Sequence, residues 1–123
     1  MRRRGFTIIE ILIVLSIIAV LVISATPLLT RFNNQLTLNA AAKTIASELR
    51  LLQTKAKTTH STMTLNLNNL KIPAKIKISG KTEVSFVSSG APLPGSSGTI
   101  TLTNRNGQTK KIVIASSGRV RVE

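Results

Sequence analysis

The first thirty residues constrain this chain more than any other feature. Arg2, Arg3 and Arg4 are followed by Gly5, and an apolar stretch then runs from Phe6 to Thr30 with one charged residue inside it. About 20 apolar residues suffice for a helix to cross a bilayer. The stretch therefore predicts a membrane-spanning helix over residues 6–30. Arginines at one end of such a span hold that end in the cytoplasm and direct the rest outward.

The charged residue inside the stretch, Glu10, is unexpected in an ordinary membrane anchor. A charge at the centre of a membrane-spanning helix costs roughly 2.5–3.5 kcal/mol even on lenient scales. Glu10 lies near the cytoplasmic end of the span, which lowers that cost. A carboxylate in apolar surroundings is stabilised only by a nearby cation, so Glu10 is predicted to have a partner.

Two simpler interpretations of the segment compete. In a secretory signal peptide, the arginines would form the basic region and Ile23-Ser24-Ala25 the cleavage site. An early glutamate does not suit the apolar region of such a peptide, which usually has about 7–15 residues. A plain single-pass anchor explains the length of the stretch but not the order of arginine, glycine, phenylalanine and glutamate.

That order, Gly-Phe-Thr-Ile-Ile-Glu-Ile-Leu-Ile-Val-Leu from Gly5, resembles the class III leader junction of type IV pilins and of the pseudopilins of type II secretion. The resemblance implies a leader at residues 1–5, cut after Gly5 by a prepilin peptidase that also N-methylates Phe6. It further implies that Glu10 pairs with the N-terminal ammonium of a neighbouring subunit. The expected partners are this enzyme, other pilins or pseudopilins in a filament, and an inner-membrane assembly platform. The head would be periplasmic or extracellular.

Helical periodicity continues beyond the span. Pro27 removes a backbone N–H and crowds the preceding turn, so a kink or a local melt of the helix is predicted there. Over residues 31–57 an amphipathic half follows, because apolar residues recur at helical spacing. These are Leu38, Ala42, Ile45, Leu49, Leu52 and Ala56. Lys43 and Arg50 lie on the opposite side, and the stripe is predicted to pack on a sheet.

From residue 58 to 123 the apolar period changes to two, which predicts an antiparallel sheet with one buried face. Strands are expected around residues 63–67, 75–78, 83–86, 99–103, 109–115 and 119–122. The Asn106-Gly107 pair predicts a hairpin turn, and Ser116-Ser117-Gly118 predicts another. Pro73 marks a break or an edge, and residues 88–98 are expected to form an exposed, mobile loop. The fold class is α+β, with a long N-terminal helix on a small sheet.

The chain has few of the residues that catalysis or metal binding requires. It contains no cysteine and no aspartate, and its four glutamates are scattered along the sequence. Its one histidine, His60, falls where helix gives way to strand and is interpreted as a surface residue. No serine has a plausible base beside it. The chain is therefore predicted not to be an enzyme and to hold no cofactor or metal.

The charge is more informative. The chain carries a net charge of +13, and loss of the three leader arginines would leave +10 on the mature protein. Such an excess favours polyanions. Arg119 and Arg121 lie two apart and share one strand face, and a basic patch with Lys110, Lys111 and Arg105 is predicted to bind DNA. Without Trp or Tyr, contact is expected with the DNA backbone. Lys43 and Arg50, on the helix, are expected to matter much less.

The same stretch carries a second resemblance. Residues 112–122, which end in Gly-Arg-Val-Arg-Val, look like the C-terminal strand of the GspH/FimT group of minor pilins. Some members of that group act in competence and bind DNA, which by resemblance would fall on Arg119 and Arg121. A type IV pilus or DNA-uptake role is favoured on charge. An H-type pseudopilin of a type II secretion system and a secreted polyanion-binding module remain alternatives.

Overall fold

The computed structural model describes residues 5–123. The orienting role assigned to Arg2, Arg3 and Arg4 lies outside the described residues. Two compact units are distinguished, one that ends at Asn33 and one that covers Asn34–Glu123. The expected α+β class is confirmed, since one long helix is followed by antiparallel strands.

The helix, α1, extends over Ile8–Thr59. It begins two residues later and ends two residues later than its apolar pattern predicts. Pro27 lies inside it, and the residues on both sides of the proline are helical. The local melt expected at Pro27 is therefore absent, whereas a bend there stays a prediction.

The first unit consists mainly of the apolar half of α1. Every large apolar side chain from Phe6 to Phe32 is at least 50% exposed, so this surface has no cover within its own unit. Isolated proteins rarely expose continuous apolar surface of this kind, which marks a membrane or protein contact. By length and composition α1 is able to cross a membrane, although a signal sequence at an N-terminus has the same properties.

The second unit contains six strands in two antiparallel sheets. They are β1 (Met63–Asn66), β2 (Ile76–Gly80), β3 (Glu83–Phe86), β4 (Gly98–Asn104), β5 (Thr109–Ile114) and β6 (Val120–Val122). A four-stranded sheet has the order β2-β4-β5-β6, and β1 pairs with β3 in a separate two-stranded sheet. The predicted hairpin between β4 and β5 is confirmed, with Ile100 opposite Ile112. Pro73 precedes β2, as expected for a break.

The core of this unit forms between the apolar stripe of α1 and the buried faces of the strands. Five of the six predicted stripe residues are buried, and Leu52 packs partly buried against them. From the sheets, Phe86, Ile100 and Leu102 are fully buried. Truncating one such side chain to alanine typically costs about 2–5 kcal/mol. The stripe therefore ties the second half of α1 to the head.

The segment over residues 88–98 is a correction to the sequence prediction. It was expected to be exposed, yet it folds back on β3, where Pro92 makes a β-bridge with Phe86. Leu93 donates its N–H to Ser85 O at 2.8 Å, and Ser85 donates its N–H to Ser96 Oγ at 3.2 Å. Gly90 is buried. Serine hydroxyls and backbone groups satisfy each other here, which an apolar period cannot reveal.

Candidate functional site

The start of α1 is organised by two side chains that bond to each other's backbone. Thr7 N–H and Thr7 Oγ1 donate to Glu10 Oε2 at 2.9 and 3.1 Å, and Glu10 N–H donates to Thr7 Oγ1 at 3.4 Å. This is a capping box, in which threonine and glutamate satisfy the unpaired N–H groups of a helix start. The sequence prediction missed it, although threonine followed three residues later by glutamate is its known signal.

Gly5 and Phe6 lie ahead of this capping box, and both are exposed. A Cβ atom added to Gly5 would meet no atom within 4 Å. The fold of the chain therefore gives no reason for a glycine at this position.

The predicted basic residues fall on different parts of the four-stranded sheet. Arg119 and Arg121 are both exposed, and Arg121 opposes Val113 across the β5–β6 pair. Side chains alternate between the two faces of a strand, so Lys111 shares the exposed face with Arg121. Lys110 is two residues from the buried Ile112 on β5, so it lies on the same, core-facing side of the strand, where it is half-buried.

Arg105 lies apart from Arg119. It belongs to the β4–β5 turn, whereas Arg119 follows the β5–β6 turn at the other end of β5. Six residues of strand separate these ends by roughly 20 Å. The structure thus brings together Arg119, Arg121 and Lys111, and it separates Lys110 and Arg105 from them.

A cleft between α1 and β6 brings two further cations next to the arginine pair. The cleft has a volume of about 550 Å³. It is lined by Lys43, Ala46, Ser47 and Arg50 of α1 and by Arg119, Val120, Arg121 and Val122. Four of these eight residues are cationic, and none is acidic. The side of α1 that was expected to matter little therefore lies against the predicted site.

Contacts around this basic cleft fix its geometry. Arg50 Nη2 donates to Val120 O at 3.4 Å, which joins α1 to the free edge of β6. On the rim, Arg121 Nη1 lies 3.6 Å from Glu123 Oε1. Both side chains of that pair are more than half exposed, so solvent screens it and its contribution is small.

The turn before Arg119 is held by a residue that the sequence did not indicate, Gln53. Its Nε2 donates to Gly90 O at 2.6 Å and to Gly118 O at 3.1 Å. Gly118 adopts φ +87°, and a Cβ atom on it would lie 2.7 Å from Gln53 Nε2 and would also collide with Gly90 O. Glycine is therefore required at position 118 both by conformation and by close packing.

Within residues 5–123, no three histidine, cysteine or acidic side chains come together in a way that could hold a metal ion. His60 is exposed, with φ +50°, where the chain turns away from α1.

The comparisons with known proteins agree with this geometry. The family model for the prokaryotic N-terminal methylation motif matches residues 1–26. A crystal structure of the type IV minor pilin FimU from Pseudomonas aeruginosa superposes with a TM-score of 0.62 at 12% identity, over 75% of this chain and 92% of FimU. A second crystal form of FimU gives a TM-score of 0.56 at 15% identity, over 70% and 92%. No curated protein matches the whole sequence significantly.

The first 26 residues therefore carry a motif typical of type IV pilins, and the fold resembles that of FimU. The motif covers the first residues of the chain, and the likeness to FimU covers three quarters of it. At such low identity the likeness to FimU shows the fold alone. The apolar first half of α1 and the methylation motif fit a pilin that is anchored in the inner membrane with its head exposed. The methylation motif is typical of chains that a prepilin peptidase processes and that assemble with other pilins.

Proposed function

We propose that this pilin-like chain is a minor subunit of a type IV pilus or DNA-uptake filament. Prepilin peptidase cuts after Gly5 and methylates Phe6, and the apolar half of α1 then moves from the inner membrane into the filament. One observation supports this most strongly: the methylation motif begins a helix whose large apolar side chains up to Phe32 are all at least 50% exposed. Such a surface needs first a membrane and then other helices around it.

In this proposal Glu10 selects the position of the subunit in the filament. Its carboxylate lies in the apolar stretch and pairs with the methylated ammonium of a neighbour, since a charge in such surroundings needs a counter-charge. To test this, wild-type chain, Gly5→Leu and Glu10→Val are each expressed in a host that carries prepilin peptidase. Mass spectrometry of the membrane fraction should show a wild-type start at methylated Phe6. A start at Thr26 would instead indicate a signal peptide.

The second part of the proposal is DNA binding at the exposed end of the sheet. Arg119 and Arg121 share one exposed face with Lys111, and the mature chain would carry a charge of +10. Phosphate contacts of this type are independent of sequence and sensitive to salt. With three to five contacts, log K for duplex DNA should fall with log salt at a slope of about −3 to −4.5.

The matched control for this site lies at the other edge of the same sheet. Lys75 and Lys77 are exposed at the start of β2, with β4 and β5 between them and β6. Arg119→Gln/Arg121→Gln should flatten the slope by about 2. Lys75→Gln/Lys77→Gln removes the same charge and should leave it unchanged. An equal loss in both double variants would mean that overall charge, not a site, holds the DNA.

The motif is also compatible with a second assignment, a pseudopilin subunit of a type II secretion system. Affinity purification of the crosslinked filament distinguishes the two, because it identifies the pilins beside this subunit. Recovery with secretion pseudopilins alone would reject the pilus assignment.

A further inference from the structure

The basic cleft has cations on both of its walls. Lys43 and Arg50 are seven residues apart on α1, so they lie on one side of the helix about 10 Å apart. Arg119 and Arg121, about 7 Å apart, flank Val120 on the other wall and share the exposed face of the sheet with Lys111. Among the residues that the structure describes, the one ion pair is that of Arg121 with Glu123, on the rim. Three of the four cations are therefore not neutralised by a carboxylate.

The floor of the basic cleft is apolar. Ala46 and Val120 are buried and Val122 is half-buried. No aromatic side chain lines it, so bases cannot stack there as they do on single-strand platforms. A ligand that matches this cleft carries several negative charges and is held without stacking on aromatic rings. Those are the properties of a phosphodiester backbone.

We infer that the basic cleft binds one strand of nucleic acid by its backbone, with Lys43 and Arg50 contributing as much as Arg119 and Arg121. This inference rests on the DNA binding proposed above and makes it more specific. A cleft of about 550 Å³ between one helix and one strand edge admits a single strand. A duplex is inferred to lie on the exposed face of the sheet, where Arg119, Arg121 and Lys111 are, and not to reach the α1 side of the β6 edge. Single strands therefore engage both walls.

Salt dependence tests the inference, because it counts phosphate contacts. The full-length chain in non-ionic detergent micelles is titrated with a fluorescein-labelled 20-nucleotide oligothymidylate, and anisotropy is measured from 50 to 300 mM salt. Four contacts give a slope of about −2.8. Lys43→Gln/Arg50→Gln should reduce its magnitude by about 1.4, which at 0.1 M salt is roughly a 25-fold loss of affinity if binding at 1 M is unchanged.

Control variants distinguish this inference from the DNA binding by Arg119 and Arg121 that we proposed above. Lys75→Gln/Lys77→Gln should bind like wild type, and Lys43→Arg/Arg50→Lys should retain the slope because both charges remain. If Arg119→Gln/Arg121→Gln weakens binding while Lys43→Gln/Arg50→Gln does not, the inference is wrong and the rim site remains. If wild type binds neither single strand nor duplex, DNA binding itself is rejected.

Two further probes test the class of ligand. A duplex of the same length should bind with a slope that is insensitive to Lys43→Gln/Arg50→Gln. Poly-glutamate of equal charge should compete weakly, since carboxylates on a peptide do not follow the phosphate spacing. Competition by poly-glutamate that equals or exceeds that by oligothymidylate would assign the cleft to an acidic protein segment at the β6 edge, or to simple charge protection of that edge.

Discussion

Gly118→Ala offers the sharpest test of how the structure holds the arginine pair. Gly118 lies at φ +87°, and a side chain in this conformation costs about 1–2 kcal/mol. The added Cβ would also displace Gln53 and the backbone of Gly90. Loss of the two hydrogen bonds from Gln53 Nε2 adds about 1 kcal/mol each. The expected loss in free energy of unfolding is therefore about 3–4 kcal/mol.

Gly107→Ala is the matched control. Gly107 closes the β4–β5 turn with an N–H···O bond to Asn104 of 3.1 Å, just as Gly118 closes the β5–β6 turn with a 2.9 Å bond to Ala115. Its φ is +76°, but a Cβ atom there meets nothing within 4 Å. Only the conformational cost remains, about 1–2 kcal/mol.

Scanning calorimetry of the full chain in non-ionic detergent measures the difference. A change of 1 kcal/mol shifts the melting temperature of a 60–100-residue domain by about 4–8 °C. Gly118→Ala should thus melt roughly 8–16 °C below Gly107→Ala. Adding Gln53→Ala to Gly118→Ala should lower the melting temperature only slightly further, since Gly118→Ala has already removed the contacts of Gln53. Equal melting temperatures for the two glycine variants would refute the role of close packing.

Three other outcomes are expected. Gly5→Leu should leave the chain uncut in cells with prepilin peptidase, as judged by mass spectrometry, while its membrane insertion is unchanged. Glu10→Val should insert at least as well as wild type, because a charge is removed from the apolar stretch, yet crosslinking should show it absent from filaments. Glu123→Gln frees Arg121 from its exposed ion pair, so oligothymidylate should bind about 1.5- to 5-fold more tightly, as expected from 0.2–1 kcal/mol; weaker binding would contradict this.

The periodic parts of the fold could be read from the sequence. The stripe from Leu38 to Ala56 and the alternation in β4 and β5 each predicted burial, because periods of 3.6 and 2 report which face meets the core. Asn106-Gly107 predicted its hairpin, in which Gly107 of this pair adopts positive φ, +76°. Local signals of this kind do not depend on distant residues, and they were confirmed.

Features that depend on distant residues were not predictable in this way. Nothing in the spacing of β1 and β3 shows that they leave the main sheet, or that Gln53 joins two turns that are 28 residues apart in sequence. The basic cleft could not be predicted either, because it too depends on residues that are distant in sequence. Lys43 and Arg50 were assigned to a solvated side of α1, and only the position of β6 as the edge strand places them opposite Arg119.

The capping box changes how the role of Glu10 should be understood. As a lone carboxylate in an apolar stretch, Glu10 would need a second subunit merely to be tolerated. Thr7 instead supplies two donors to it within the same chain, so the uncut chain can lie in the membrane alone. The cleavage after Gly5 that we propose would leave Thr7 and both donors in place and would create an ammonium one residue away from them. In the assembly proposed above, Glu10 would exchange these hydrogen bonds for an ion pair with the ammonium of a neighbouring subunit, so the two states would differ in the strength of its contacts and neither would leave the carboxylate unpaired.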